Sequence, residues 1–308
     1  MIWGLVIKST GSSYLVYFEN GNTLECHIKG NFRIRGIRST NPVAVGDRVA
    51  VETLTDGTNW ITDIADRKNY IIRRSTNLSK ESHILAANLD RVALIVTLYH
   101  PTTSTTFIDR FLATAEAYRV PAVLIFNKID RLTPEQLSEL ADIRSRYESL
   151  GYPTFAISAL NDKMVNDKIV NGVTLLAGNS GVGKSTLLNA LFGREMTRTG
   201  QISDAHDKGM HTTTFSEMYQ LPVTDNPSWI IDSPGIKGFG AVQMKKEEIS
   251  HYFREIFRIG RDCRYSNCLH TGEPGCAVHD AVVDGRIAIS RYESYLSLLG
   301  DCTESKYR

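Results

Sequence analysis

Residues 178–185 read Gly-Asn-Ser-Gly-Val-Gly-Lys-Ser, with Thr186 next in line. Glycines at the first, fourth and sixth places let successive backbone N–H groups point inward and cradle phosphate oxygens. Lys184 then supplies the cation that reaches the β- and γ-phosphates, and the Ser185 hydroxyl is a ligand for Mg²⁺. The apolar stretch GVTLLA precedes this run and KSTLLNALF follows it, which places the cradle between a strand and a helix. Gly178, Asn179, Ser180, Gly181, Val182, Gly183, Lys184, Ser185 and Thr186 are therefore the candidate phosphate-binding residues.

Asn127-Lys128-Ile129-Asp130 follows the apolar AVLIF and resembles the guanine-specificity motif of GTPases. A carboxylate at Asp130 accepts hydrogen bonds from the N1 and exocyclic N2 donors of guanine. Adenine offers neither donor at those edges, and an unpaired buried polar group costs about 1–3 kcal/mol, more if charged. Taken alone the tetrapeptide also fits a helix-capping turn; paired with a phosphate cradle it points to guanine. Ser158-Ala159-Leu160 ends the next strand and resembles the GTPase loop that backs the guanine ring through the main chain.

Asp232-Ser233-Pro234-Gly235 closes the apolar WIIDSPG. It resembles the Walker B and switch II motif, in which the aspartate orients Mg²⁺ through water and the glycine amide, here Gly235, senses the γ-phosphate. A plain strand-ending turn is the alternative. Between cradle and strand, TGQISDAHDKGMHTTTF has the composition of a switch I loop; Thr213 is the first choice for the residue that meets Mg²⁺ and the γ-phosphate, and Thr214 the second. Where many GTPases carry a water-orienting glutamine stands Ile236, so intrinsic hydrolysis is expected to be slow. His211 and Gln243 are the nearby polar candidates for catalysis, unless a partner supplies the group, an addition worth roughly 10³–10⁵ in rate.

The order of these motifs is inverted. An ordinary GTPase begins with the phosphate cradle and ends near the base motif, whereas here residue 127 precedes residue 178 and the switches come last. The expected domain is thus circularly permuted, which is tolerated because domain termini lie close together at the surface. Switch II would then run directly into the C-terminal segment and pull on it when the γ-phosphate is lost.

That segment holds Cys263, Cys268, His270 and Cys276 in a short window. Three thiolates and an imidazole suit closed tetrahedral Zn²⁺, a structural site with no position left for a catalytic water. His279 is a spare ligand; Cys26 and Cys302 read as isolated thiols.

The elements that must hold these residues divide the chain in three. Residues 1–68 alternate in short apolar stretches between Gly, Asn and Asp turns, which fits a five-stranded OB-like barrel, a fold that often binds oligonucleotides; an SH3-like barrel would read much the same. A loop with Lys29, Arg33, Arg35 and Arg38 is a basic patch there. After the linker-like ADRKNYIIRRSTNLSK, residues 69–241 alternate buried strands with helices, the pattern of a mostly parallel sheet in an α/β domain. Residues 242–308 begin with a helix-like KKEEISHYFREIFRIGRD, where Arg254, Arg258 and Arg261 share one face as a second basic patch, and end in a helix near 288–299.

The chain has 308 residues, 42% hydrophobic and 22% charged, and a formal net charge of +1. Several cores can be buried, and contact with a polyanion must come from the local patches. Lys8 interrupts the first apolar run before it reaches the length of a signal-peptide core. No stretch approaches the roughly 18 apolar residues of a spanning helix. A cytoplasmic monomer is expected.

The whole set, an OB-like start, NKID, GNSGVGKS, HTTT, DSPG and C-x4-C-x-H-x5-C, resembles the small ribosomal subunit biogenesis GTPase family (RsgA) over essentially the whole chain. The resemblance implies a GTPase that turns GTP into GDP and phosphate with Mg²⁺ and carries one Zn²⁺. It also implies binding to the small ribosomal subunit through rRNA, stimulation by that particle and a role in its late maturation, with no DNA or membrane partner. Family members often carry a histidine just after switch II; GFGAVQM offers Gln243 instead, so that role does not transfer. Two readings outside the family are an ATP-using enzyme, which NKID disfavours, and a GTP switch acting on a protein or membrane. An RNA target predicts a steep salt slope and a protein target a shallow one.

Overall fold

The computed structural model describes residues 1–10, 13–28, 42–74, 82–161, 169–170, 172–194, 217–222, 227–232 and 244–304. The basic loop at 29–41, the switch residues His211, Thr213, Thr214, Gly235 and Ile236, and Gln243 lie outside them.

The first five strands are β1 (Ile2–Ser9), β2 (Tyr14–Tyr17), β3 (Thr23–Ile28), β4 (Arg48–Thr53) and β5 (Asn59–Ile64). Their alternation sends Val6, Tyr14, Val16, Cys26, Val49, Val51 and Ile61 into one core, as period-two patterning requires. The strands follow the order β1-β2-β3-β5-β4, and β4 returns to pair with β1. β3 and β5 run parallel and the other pairs antiparallel, the Greek-key closure of an OB-type barrel.

The stretch that reads as a linker is partly strand. β6 (Tyr70–Arg74) pairs antiparallel with β7 (Ser82–Ala87). Ile71, Ala86 and Ala87 are buried, so the ribbon is held by packing that the polar flanks of the sequence conceal. The guanidinium of Arg67 donates to both carboxylate oxygens of the fully buried Asp47, at 2.7 and 2.5 Å, and to Pro42 O at 2.7 Å.

Parallel strands β8 (Arg91–Val96), β9 (Ala122–Phe126), β10 (Thr154–Ala156), β11 (Val173–Gly178) and β13 (Trp229–Asp232) stand in the order β10-β9-β8-β11-β13. β12 (Glu217–Gln220) adds antiparallel to β13. Continuous apolar runs such as ALIV and AVLIF form these strands because both sheet faces are covered. One face packs Leu94, Leu124 and Leu175 against α1 (Thr105–Ala117) and α2 (Pro134–Ser149); the other packs Ile95, Ile125 and Leu176 against α3 (Lys184–Phe192). Ser104 caps α1, and a capping box of Thr133 and Gln136 starts α2. β12 also meets β1 at Glu217 and Lys8, which joins the barrel edge-on to the sheet.

The C-terminal region does not form one long helix. A 3₁₀ segment (Lys246–Tyr252) breaks at Phe253, whose backbone is extended, before α4 (Arg254–Gly260). A short α5 (Ala277–Val283), absent from the sequence reading, and α6 (Ile289–Glu304) follow. Phe253, Ile256, Val278, Tyr295 and Leu299 share a core with Ala113 of α1. Among the described residues no helix is long and apolar enough to cross a membrane.

Candidate nucleotide site and metal centre

The candidate residues gather where the parallel strands end. Asn127 follows β9, Ser158 follows β10, Gly178 ends β11 and Asp232 ends β13. That is the carboxyl edge of an open α/β sheet, where such folds bind ligands. Here β11 lies between β8 and β13.

Asn127 ties the base motif to the other two loops. Its Nδ2 donates to Val182 O at 2.9 Å and its Oδ1 accepts from Ala159 N at 2.9 Å, with the side chain buried. Lys128, in the left-handed region at φ 64°, donates from Nζ to Gly181 O at 2.6 Å and to His100 O at 2.8 Å. Burial lowers its pKa, with Arg131 adding to the effect and Asp130 opposing it. Asp130 and Leu160 are exposed, and Ser158 and Ala159 are buried. A Cβ at Gly183, where φ is +96°, would stand 2.4 Å from Asn127 Nδ2. Glycine is thus needed there both for backbone conformation and for the approach of the base motif.

Lys184 begins α3, and its Nζ lies 3.5 Å from Asp232 Oδ1. That oxygen is buried and accepts no hydrogen bond among the described residues. A buried carboxylate oxygen in want of donors, beside the Ser185 hydroxyl's helix, fits the surroundings of a hydrated Mg²⁺.

The second site lies between α4 and α5. The ligand atoms of Cys263, Cys268, His270 and Cys276 all lie within 4.8 Å of one another. His270 Nδ1 is 3.5 Å from the sulfurs of both Cys263 and Cys276. Bond lengths of roughly 2.0–2.3 Å in a tetrahedral zinc site put ligand atoms about 3.3–3.8 Å apart, a range that the two His270–sulfur distances match, so the cluster is compatible with that ion. Burial holds the His270 imidazole below its usual pKa, in the neutral form a metal needs, although Glu273 opposes it. Burial also pushes the Cys268 thiol up to about 12 and raises Cys276; thiolate ligands here require a cation among them. Burial works to raise the Glu273 carboxyl as well, but donors from the Leu269 and Thr271 backbone outweigh it and hold it at about 2, bracing the loop. Tyr292 and Tyr295 donate their hydroxyls to His270 O and Leu269 O, both at 2.6 Å. His279 is not in the four-residue group; its backbone N–H donates to Cys276 Sγ at 3.4 Å.

The helix-face reading of the second basic patch changes. Arg254 donates to Glu116 at 2.7 Å and to Leu150 O and Gly151 O, and it covers the Tyr152 ring at 4.1 Å. It docks the module on the α/β domain while 40% of its side chain stays exposed, and Arg258 and Arg261 are exposed as well. Sequence reasoning missed a buried cluster beside it. Arg291 pairs with Asp109 at 2.8 Å and with Glu255 at 2.7 Å, and Tyr147 donates to the same Asp109 oxygen at 2.8 Å. No spacing signal announces it, because its members lie on four separate helices.

The model of the family described as RsgA GTPase matches residues 64–242, and that of the RsgA N-terminal domain matches residues 3–61. The chain belongs to the RsgA GTPase family. A small ribosomal subunit biogenesis GTPase RsgA of Phocaeicola vulgatus is 59% identical over 308 residues, covering 99% of this chain and 98% of the relative. The crystal structure of YjeQ from Thermotoga maritima superposes with a TM-score of 0.77 at 30% identity, over 98% of each chain. YloQ, described as a circularly permuted GTPase, gives 0.74 at 23% identity over 100% of this chain and 97% of its own, a likeness of fold. This RsgA-family chain is accordingly a GTP-hydrolysing enzyme with a permuted G domain, an amino-terminal five-stranded barrel and a helical carboxyl-terminal region with a Cys₃His cluster.

Proposed function

We propose that the enzyme acts as a GTP-dependent switch in late maturation of the small ribosomal subunit, with that subunit and its rRNA as partner and activator. The names of its relatives support this, as does the barrel fused to the G domain. The working units are residues 1–68 as RNA-binding barrel, 69–241 as GTPase domain and 242–308 as zinc-binding domain, in a cytoplasmic monomer.

Asp130 reads the guanine edge, Asn127 and Lys128 hold the base loop to the phosphate loop, and Ser158–Leu160 back the ring. Residues 178–186 wrap the phosphates, with the Lys184 ammonium drawn from Asp232 onto the β- and γ-oxygens. Ser185, Thr213 and Asp232 would hold Mg²⁺, which when bound neutralises charge that develops on the leaving phosphate oxygens. Thr213 and Gly235 sense the γ-phosphate, and His211 and Gln243 are the side chains offered for ordering the attacking water. Cys263, Cys268, His270 and Cys276 hold Zn²⁺ as a structural ion.

The observation that carries this reading is the Asn127 bridge between Val182 O and Ala159 N, which ties the candidate base loop to the candidate phosphate loop. Hydrolysis should be measured alone and with small subunits, large subunits or naked RNA. Stimulation by small subunits alone is the expected result; equal rates with every addition would refute the partner. Asp130→Asn should lower GTP affinity at least 10-fold while restoring turnover of xanthosine triphosphate, whose C2 oxygen accepts from the new amide.

A further inference from the structure

Lys128 is anchored by two carbonyls, and only Gly181 O belongs to the phosphate loop. His100 O lies in the 97–103 connection from β8 to α1, which is braced from within. Thr97 Oγ1 donates to Pro101 O at 2.5 Å, Thr103 N donates to Thr97 O at 2.9 Å, and Thr103 Oγ1 accepts from Thr97 N at 3.3 Å. Thr97 and Thr103 are buried. Pro101 sits against the phosphate loop, 3.5 Å from where a Cβ on Gly181 would stand. Ser104 then caps α1, and little more than a turn later Asp109 is gripped by Arg291 of α6, which also holds Glu255 of α4. Arg110 of α1 adds bonds to Ser297 and Asp301 of α6, and Glu116 of α1 receives Arg254 of α4. The α1 helix thus carries the nucleotide loop at one end and the Cys/His module along its side.

We propose that the C-terminal module sets the position of Lys128, and so the residence time of guanine nucleotide, through α1 and the 97–103 connection, with Thr97 and Arg291 as positioning residues. A shift of α1 moves His100 O relative to Gly181 O, and one ammonium then no longer satisfies both carbonyls. This route runs from the module into the base side of the site and is separate from the chain continuity between switch II and the module. Linkage makes it reciprocal: whatever the module does to nucleotide affinity, nucleotide does to module docking.

The test uses the full zinc-loaded chain and a fluorescent GDP. Thr97→Val removes one brace without changing shape, and the pair Arg110→Ala and Arg254→Ala loosens docking at partly exposed positions remote from nucleotide. Both variants should release GDP about 5-fold faster or more, the lower range of allosteric couplings, and raise the KM for GTP by a similar factor. The single-turnover hydrolysis rate at saturating GTP should stay within about two-fold, a split that general loosening of the fold would not produce. GDP should also slow hydrogen exchange in 289–304 of the parent and not of Thr97→Val. The proposal is overturned if GDP release and KM stay unchanged in a variant whose 289–304 exchange has accelerated. Should the arginine pair leave that exchange unaltered, the charge-free combination Asp109→Asn, Glu255→Gln and Arg291→Met is read by the same two outcomes.

Discussion

At the barrel's edge, the Lys8–Glu217 pair leaves 40% and 37% of the two side chains exposed, while at the junction with the Cys/His module Arg291 and Asp109 are 2% and 0% exposed. The same charge types serve both junctions, and their surroundings separate them. Water and salt screen the first pair, so it contributes little. The second is shut into a low-dielectric interior, where each partner depends on the others because none can be resolvated. The barrel is attached through a strand edge and through apolar and backbone contacts, with Val45 in the α/β core, Ala87 N donating to Val45 O at 2.9 Å and the Tyr17 and Trp229 rings 5.0 Å apart, and the module through a buried charged knot surrounded by apolar side chains. The module should therefore move with α1, and loss of one charged side chain should matter more at the module's junction than at the barrel's edge.

Removing metal should break this comparison most severely. If zinc is the staple, chelation should release one equivalent and open 254–304 to hydrogen exchange, with the barrel still protected; structural zinc is worth roughly 10–16 kcal/mol in small peptides. Arg291→Ala should come next, at about 3–5 kcal/mol in chemical denaturation, because it strands Asp109 and Glu255 as unpaired buried charges. Arg67→Ala should cost about 2–3 kcal/mol, since Asp47 retains the Ala44 N–H as a donor at 2.8 Å. Lys8→Ala should fall within about 0.5 kcal/mol. A Lys8 effect as large as that of Arg67 would mean that the exposed edge pair carries as much stability as the buried pair.

The candidate nucleotide site was legible in the chain because the chemistry of its motifs is local. Eight consecutive residues make the phosphate loop, four make the base motif, and each follows an apolar strand that reads as one. The barrel strands were legible from their alternation, although the choice between OB and SH3-like closure needed the β1–β4 and β3–β5 pairings, which join residues distant in sequence. The β6–β7 ribbon was hidden because YIIRR is short and flanked by polar residues. The KKEEISHYFREIFRIGRD segment misled in the opposite direction: its composition suits a helix, but tertiary packing buries Phe253 and Ile256 around a break. Arg254, read as a candidate phosphate contact, turned out to have carbonyl and carboxylate partners 103 to 138 residues away.

By itself the sequence determined the reaction class, the permuted order of the motifs and which three cysteines and one histidine form the Cys₃His cluster, because covalent neighbours and residue type define those features. Only the tertiary structure decided which charges are buried, that Asn127 bridges three loops, and that Lys128 shares its ammonium between the phosphate loop and the α1 connection. Those outcomes depend on dielectric surroundings and on distances between segments far apart in the chain, and both come into existence when the sheet and its helices close together.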